Sequence, residues 1–168
     1  MASSPQQRAA SLVHMLNTQG QGDYIAPPIP QVAYSLQTAH LAKANQADDE
    51  TVIAALLHDI CQFLPPEEVQ SIAHEGRSMT SESDRVVVGR IGHERIGEEY
   101  PLRLGFLQKV TALVGSHVAA KRYLCATEPA YHDTLSEASK KSLMFQGGPM
   151  QGAAVSYTHL TLPTICSV

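Results

Sequence analysis

The stretch Thr51-Val-Ile-Ala-Ala-Leu-Leu-His-Asp-Ile60 decides how this chain is read. Ile53, Leu56, Leu57 and Ile60 recur at i, i+3, i+4 and i+7, the spacing of a helix with one buried face. Asp48, Asp49 and Glu50 precede it, and acidic groups suit the positive end of a helix dipole. The expected helix runs from Thr51 to Ile60 and ends on adjacent His58 and Asp59. Neighbouring helix positions point about 100° apart. An imidazole and a carboxylate side by side can therefore reach one metal cluster, with the carboxylate free to bridge two ions. A lone His-Asp pair fits an ordinary polar helix end equally well.

Working outward, most of the chain reads as helix. Pro5 to Asn17 is amphipathic and stops at Gly20-Gln-Gly22. A Pro-rich loop follows to Pro30, which suits a helix first turn because its missing N–H costs nothing there. The next helix is expected from Pro30 to about Ala44, and a short one after Pro65-Pro66. Gly76 to Asp84 reads as a polar loop. In the helix expected from Val86 to Tyr100, positions Gly89, His93, Ile96 and Tyr100 form one stripe. From Phe106 to Leu124, the stripe is Phe106, Val110, Leu113, His117, Lys121 and Leu124. A last helix is expected from Asp133 to Phe145, stopped by Gly147-Gly148-Pro149. Gly89, Gly92 and Gly97 suggest close helix approach. No alternating strand pattern precedes residue 154, so the expected fold is an all-α helical bundle.

Composition narrows the class. The chain has 168 residues, near the size of one domain. Hydrophobic residues make up 43% and charged ones 17%, which excludes a charge-driven disordered chain. Twelve Lys and Arg against sixteen Asp and Glu give a formal charge of −4, without the basic stripe a nucleic-acid binder needs. No n-region and h-region open the chain, and no apolar run approaches the roughly 18 residues of a membrane span. Cys61, Cys125 and Cys166 are odd in number and scattered, which fits a reducing compartment. A cytoplasmic location is expected, with no nucleic acid and no membrane as partner, and no oligomeric state is implied.

Eight histidines make imidazole the side chain to follow. His93 and His117 lie on the apolar stripes of consecutive helices. A single histidine on such a face is usually a hydrogen-bonded core residue. Lys121, however, follows His117 by one helical turn on the same face, and lysine is almost never buried without a partner. Beside a metal ligand it can hold an anionic group as a point charge. Snorkelling to the surface is its bland alternative. His14 and His132 read as surface residues, His40 as a helix-surface or partly packed histidine, and His74 as a helix-end histidine near the C-terminal dipole. Cys61 reads as a small core residue, and Glu94 and Arg95 as solvated or paired on a helix back.

The segments Ala54-Ala-Leu-Leu-His-Asp-Ile60, Ile91-Gly-His-Glu94, His117-Val-Ala-Ala-Lys-Arg-Tyr-Leu124 and Gln146-Gly-Gly-Pro-Met150 together resemble the HD-domain superfamily. They are most similar to its oxygenase branch, which includes 2-amino-1-hydroxyethylphosphonate dioxygenase and related aminophosphonate oxygenases, with myo-inositol oxygenase more distant. The resemblance spans roughly residues 20 to 150, and His117-x-x-x-Lys-Arg-Tyr-Leu124 is its most specific piece. It implies two iron ions bridged by Asp59, with His93 and His117 completing one site and His58 ligating the other. It implies that Lys121 binds a phosphonate group, and that Tyr24 occupies the iron before substrate arrives. Imidazole with carboxylate suits iron that keeps open positions for O2 and substrate. On this reading Asp59 and Lys121 carry the catalytic roles.

The departures are as specific. The family's first histidine ligand falls on Tyr34, and His40 faces about 120° away around the helix axis. Pro27 stands where a glutamate partner of the tyrosine is expected, and Gln62 where a further histidine is often found. The family's last aspartate ligand lies past Met150. There Val155-Ser-Tyr-Thr-His-Leu-Thr-Leu-Pro-Thr-Ile165 is rich in strand formers and resembles translated sequencing-adapter read-through. The expected organisation is a C-terminally truncated HD-type domain over 1–150 and a non-native tail over 151–168, in which His159 and Cys166 carry no function.

The function implied is iron-dependent O2 chemistry on a small hydroxylated aminophosphonate, breaking its C–P bond. Two alternatives stay open. An HD phosphohydrolase would use another divalent metal to generate hydroxide against a phosphoester. A degenerate member would bind one metal ion, or none.

Overall fold

Helices dominate the computed structural model, which describes residues 4–21, 29–73, 78–80 and 87–161. The first helix, α1 (Pro5–Gln19), starts at a capping box in which Ser4 and Gln7 satisfy each other's backbone N–H groups. The second, α2 (Gln31–Ala44), begins directly after Pro30. Asp48 caps α3 (Asp49–Leu57) by accepting from the Thr51 N–H at 2.9 Å. A 3₁₀ turn over Ile60–Phe63 leads to α4 (Pro66–Ile72). Two short antiparallel strands, β1 (Ser78–Thr80) and β2 (Val87–Arg90), precede α5 (His93–Arg103) and the long α6 (Gln108–Thr127). The chain then forms α7 (Pro129–Thr134), α8 (Glu137–Phe145) and α9 (Ala153–Thr161).

The bundle centres on α6, against which α3 and α5 pack, while α2 lies on α3. One core cluster joins Leu12 and Leu16 of α1 to Leu57, Ile60, Phe63 and Val114. A second joins Cys61 and Leu64 to Val69 and Ile96. Ile60 and Phe63 thus sink into one cluster and Cys61 and Leu64 into the other, so the turn after Asp59 is held from both sides. Arg90 adds a third hold by donating from Nη1 to the carbonyls of Cys61 at 2.9 Å and Leu64 at 3.2 Å. Gly97 lets α5 approach α6 closely, since a Cβ there would stand 3.1 Å from Val114 Cγ1.

Four expectations need correction. The helix expected from Val86 starts only at His93, because the β-branched run forms β2 and Gly89 and Gly92 take positive φ of 125° and 70°. Of the three glycines, Gly92 therefore caps a helix; no contact lies within 4 Å of its Cβ position. The buried face of α3 is Thr51, Ala54, Ala55 and Leu57, and Ile53 is exposed. The last expected helix is two, broken at extended Leu135 and restarted by Ser136, whose side chain accepts from the Ser139 N–H. Finally, the helix expected to run to Ile60 stops at Leu57; the tail, though rich in strand formers, is helical over Ala153–Thr161, with α9 packed on α6 and Thr158 buried.

Candidate metal centre

The helix α3 ends at Leu57, one turn earlier than the apolar pattern suggests. His58 keeps helical angles, but Asp59 breaks away at φ −106° and ψ 21°. The two side chains still lie side by side, with His58 Nε2 3.6 Å from Asp59 Oδ2. The buried first residue of α5 brings His93 Nε2 to 3.5 Å from Asp59 Oδ1. From the middle of α6, His117 Nε2 reaches 3.9 Å from the same oxygen. Asp59, His93 and His117 thus offer three donor atoms all within 4.8 Å of one another. His58 stands on the other side of the carboxylate.

The tautomers are fixed by the backbone. His58 Nδ1 lies 2.7 Å from the Ala55 carbonyl, His93 Nδ1 3.0 Å from that of Arg90, and His117 Nδ1 2.7 Å from that of Val114. A carbonyl only accepts, so each Nδ1 carries the proton and each Nε2 presents a lone pair. His93 Nε2 and His117 Nε2 are 3.0 Å apart. Two lone pairs at that distance repel unless a cation sits between them. A proton is disfavoured, because burial drives His117 down to about 3, against the opposing pull of Asp59. A metal ion answers the geometry. Two imidazole nitrogens this close could both reach one ion at an ordinary metal–nitrogen distance of about 2.1 Å. Two imidazoles, a carboxylate and carbonyl-pinned rings make a donor set for a first-row transition metal. Burial would raise Asp59, but His58, His93, His117 and Lys121 surround it and hold it below the usual carboxylate value.

These residues face a cavity of about 120 Å³. Lys121 lines it, donating from Nζ to Ser142 Oγ at 3.2 Å. Burial lowers its pKa from the ordinary lysine value, with Asp59 pulling the other way. The structure thus brings His93, the first residue of α5, to one place with His117 and Lys121 of α6. Tyr131 of α7 and Ser139 and Ser142 of α8, none of them singled out from sequence, complete the wall together with Gln146, which opens the Gln146-Gly-Gly-Pro-Met150 segment. Ser139 and Ser142 are one turn apart and so share a helix face, a spacing that gains meaning only once α8 is known to lie over Lys121. Gln146 Oε1 is buried without a hydrogen-bond partner among the described residues.

Tyr34 lies at the site, its ring edge-on to His58 with centroids 5.4 Å apart, and Gln62 lines the same cavity. His40 is exposed on α2, as its angular position implied, and His14 is exposed too. Cys61 is fully buried, and burial pushes its thiol up to about 11, so it is a core residue. Glu94 approaches His93 Nδ1 at 3.5 Å. Tyr24, Pro27 and His74 lie outside the described residues. No described helix is long and apolar enough to cross a membrane.

Comparison with known proteins agrees with this geometry. The chain is 38% identical over 142 residues to [1-hydroxy-2-(trimethylamino)ethyl]phosphonate dioxygenase (glycine-betaine-forming) of Leisingera caerulea, covering 84% of this chain and 65% of that relative. It is 35% identical over 156 residues to hydroxymethylphosphonate dioxygenase of Gimesia maris, covering 93% of this chain and 71% of the relative. An uncharacterised protein of Acanthamoeba polyphaga mimivirus is 29% identical over 147 residues, 86% of this chain and 60% of that protein. The chain thus spans about two thirds of the length of these relatives. The HD domain matches residues 14–141, a span that holds His58, Asp59, His93, His117 and Lys121, and the chain belongs to the HD-domain family.

Proposed function

We propose that this chain is the metal-binding part of an iron-dependent dioxygenase acting on a small 1-hydroxyphosphonate. The observation that carries the reading is the meeting, across one small cavity, of a buried His-His-Asp cage and a lysine that has no acidic partner within hydrogen-bond reach among the described residues. The cage suits a transition metal, and the lysine suits an anion. The named substrates of two relatives each carry a hydroxyl on the phosphonate-bearing carbon, which supports the substrate class.

Each side chain then has a task. The Lys121 ammonium has three N–H donors, and the described contact to Ser142 uses one; the remainder would hold the phosphonate as a point charge does. His93 and His117 present fixed lone pairs towards Asp59 Oδ1, and His58 presents its own towards Oδ2. Asp59, with His93 and His117 beside one oxygen and His58 beside the other, would hold the metal together with them. Tyr34 takes the place from which a further imidazole would come, so this chain is best suited to holding one ion firmly. Iron at this centre would supply the activation of O2 that no side chain here can provide. The overall change balances as one 1-hydroxyphosphonate and one O2 giving one carboxylate, one inorganic phosphate and a proton.

The test is O2 uptake by the anaerobically iron-loaded protein given hydroxymethylphosphonate. One phosphate released per O2 consumed is expected. Phosphate release from a phosphoester without any need for O2 would overturn the reading in favour of a hydrolase.

A further inference from the structure

A second cavity of about 280 Å³ opens beside the metal-side one, between α2, α3, α6 and α7. Tyr34, His58, His117, Lys121 and Tyr131 line both, so a ligand anchored at Lys121 borders the two at once. Their chemistry differs. The smaller holds Asp59, Ser139, Ser142, Gln31, Gln62 and Gln146. The wall of the larger is built from Leu41, Ala42, Ala54, Ala55 and Leu113, with only neutral polar groups in Thr38, Gln37 and Ser116. None of its described lining residues is acidic, and its one permanent charge is the Lys121 cation.

Resting on the functional reading above, we infer that the larger cavity receives the carbon arm of the substrate, and that this arm is an uncharged alkyl or aryl group. Size argues first. The metal-side cavity, about 120 Å³, has to take the metal, the phosphonate group and its hydroxylated carbon. The neighbouring 280 Å³ has room for several further carbons. Electrostatics argues second. A cationic arm would share its compartment with the Lys121 ammonium and meet no described carboxylate, whereas apolar carbon would gain its transfer free energy against alanine and leucine side chains. The two tyrosine rings at the junction add apolar surface without charge. The preferred substrates are thus 1-hydroxyalkyl- or 1-hydroxybenzyl-phosphonates lacking a quaternary ammonium, of which hydroxymethylphosphonate is the smallest, without the arm.

The test is calorimetric binding of non-reactive phosphonates, lacking the hydroxyl, to the zinc-loaded protein. The probes are methyl-, butyl-, benzyl- and 2-(trimethylamino)ethylphosphonate. Butyl- and benzylphosphonate are expected to bind at least about tenfold more tightly than methylphosphonate, because three or more carbons leave water. Thr38→Phe, which fills the larger cavity from α2, is expected to abolish that gain while leaving methylphosphonate affinity unchanged. Leu41→Trp at the exposed mouth should do the same without touching the core. Equal affinity for methyl- and butylphosphonate, or tightest binding of the trimethylammonium probe, overturns the inference and leaves the functional reading standing. Failure of all four probes, methylphosphonate included, overturns both.

Discussion

Three carbonyls decide what the three histidines can do. Each Nδ1 is spent on the backbone one turn behind it, at Ala55, Arg90 and Val114, so the donor each ring offers is Nε2 and its direction is fixed. Lys121 contributes charge rather than coordination, and Lys121→Met, similar in length but neutral, isolates that charge. The variant is expected to weaken phosphonate binding by about 2 kcal/mol, in the range of a lost charge-assisted hydrogen bond, with metal content unchanged. Metal analysis and calorimetry on one preparation check both halves. Tyr34→His returns an imidazole to the ring already packed against His58. It is expected to raise bound iron from about one ion per chain towards two, by metal analysis after anaerobic loading.

At the scale of elements, the HD turn is held by what lies after it. Arg90, from a strand that nothing in the hydrophobic pattern announced, donates to the carbonyls of Cys61 and Leu64. Arg90→Met should therefore destabilise the fold by about 2 kcal/mol, since it leaves two inward carbonyls without their charged donor. It should also loosen Asp59, and so weaken metal affinity in the same protein; denaturation midpoints and metal titration read the two effects. Helical periodicity made α2, α3 and α6 legible, and the inward faces of His117 and Lys121 with them. It misjudged residues 86 to 92, where a stripe at helical spacing coincides with β-branched residues and two glycines whose positive φ no helix accommodates. The pairing of His58 with Asp59 came out correctly for a different reason. The carboxylate is aimed by the chain leaving the helix, and not by the 100° step within one. Ser139, Ser142 and Tyr131 stayed hidden because their meaning depends on α7 and α8 folding back over α6.

Across the whole molecule, the centre sits at the convergence of two core clusters, and its stability is tied to theirs. Leu57 is 1% exposed in the cluster beneath His58, and Leu57→Ala should cost about 3 kcal/mol in chemical denaturation. Acid should weaken the metal-free fold as well. Burial holds His117 neutral down to about 3, whereas an unfolded chain takes up that proton near 6.5. The unfolded state thus binds more protons between those values, so the contribution of His117 is full above about 6.5 and is lost as pH falls towards 3. Asp59, held below the ordinary carboxylate value by the His58, His93, His117 and Lys121 side chains around it despite its burial, acts in the same direction at lower pH. The denaturation midpoint of apoprotein should therefore fall between pH 7 and pH 5, and His117→Gln should flatten that slope. The class of the fold was legible because helical periodicity runs through most of the chain, and most of the described elements are helices. The cavity that selects a substrate was not, since it is lined from four helices and no single segment displays it.

The account rests on His93, His117 and Asp59 binding one metal ion together. Iron retained per chain after anaerobic loading and desalting, measured for the natural sequence and for His117→Ala, tests this most directly. At least one iron per chain in the natural sequence and a small fraction of that in the variant is the predicted result. Equal iron in the two proteins, or none in either, would contradict it.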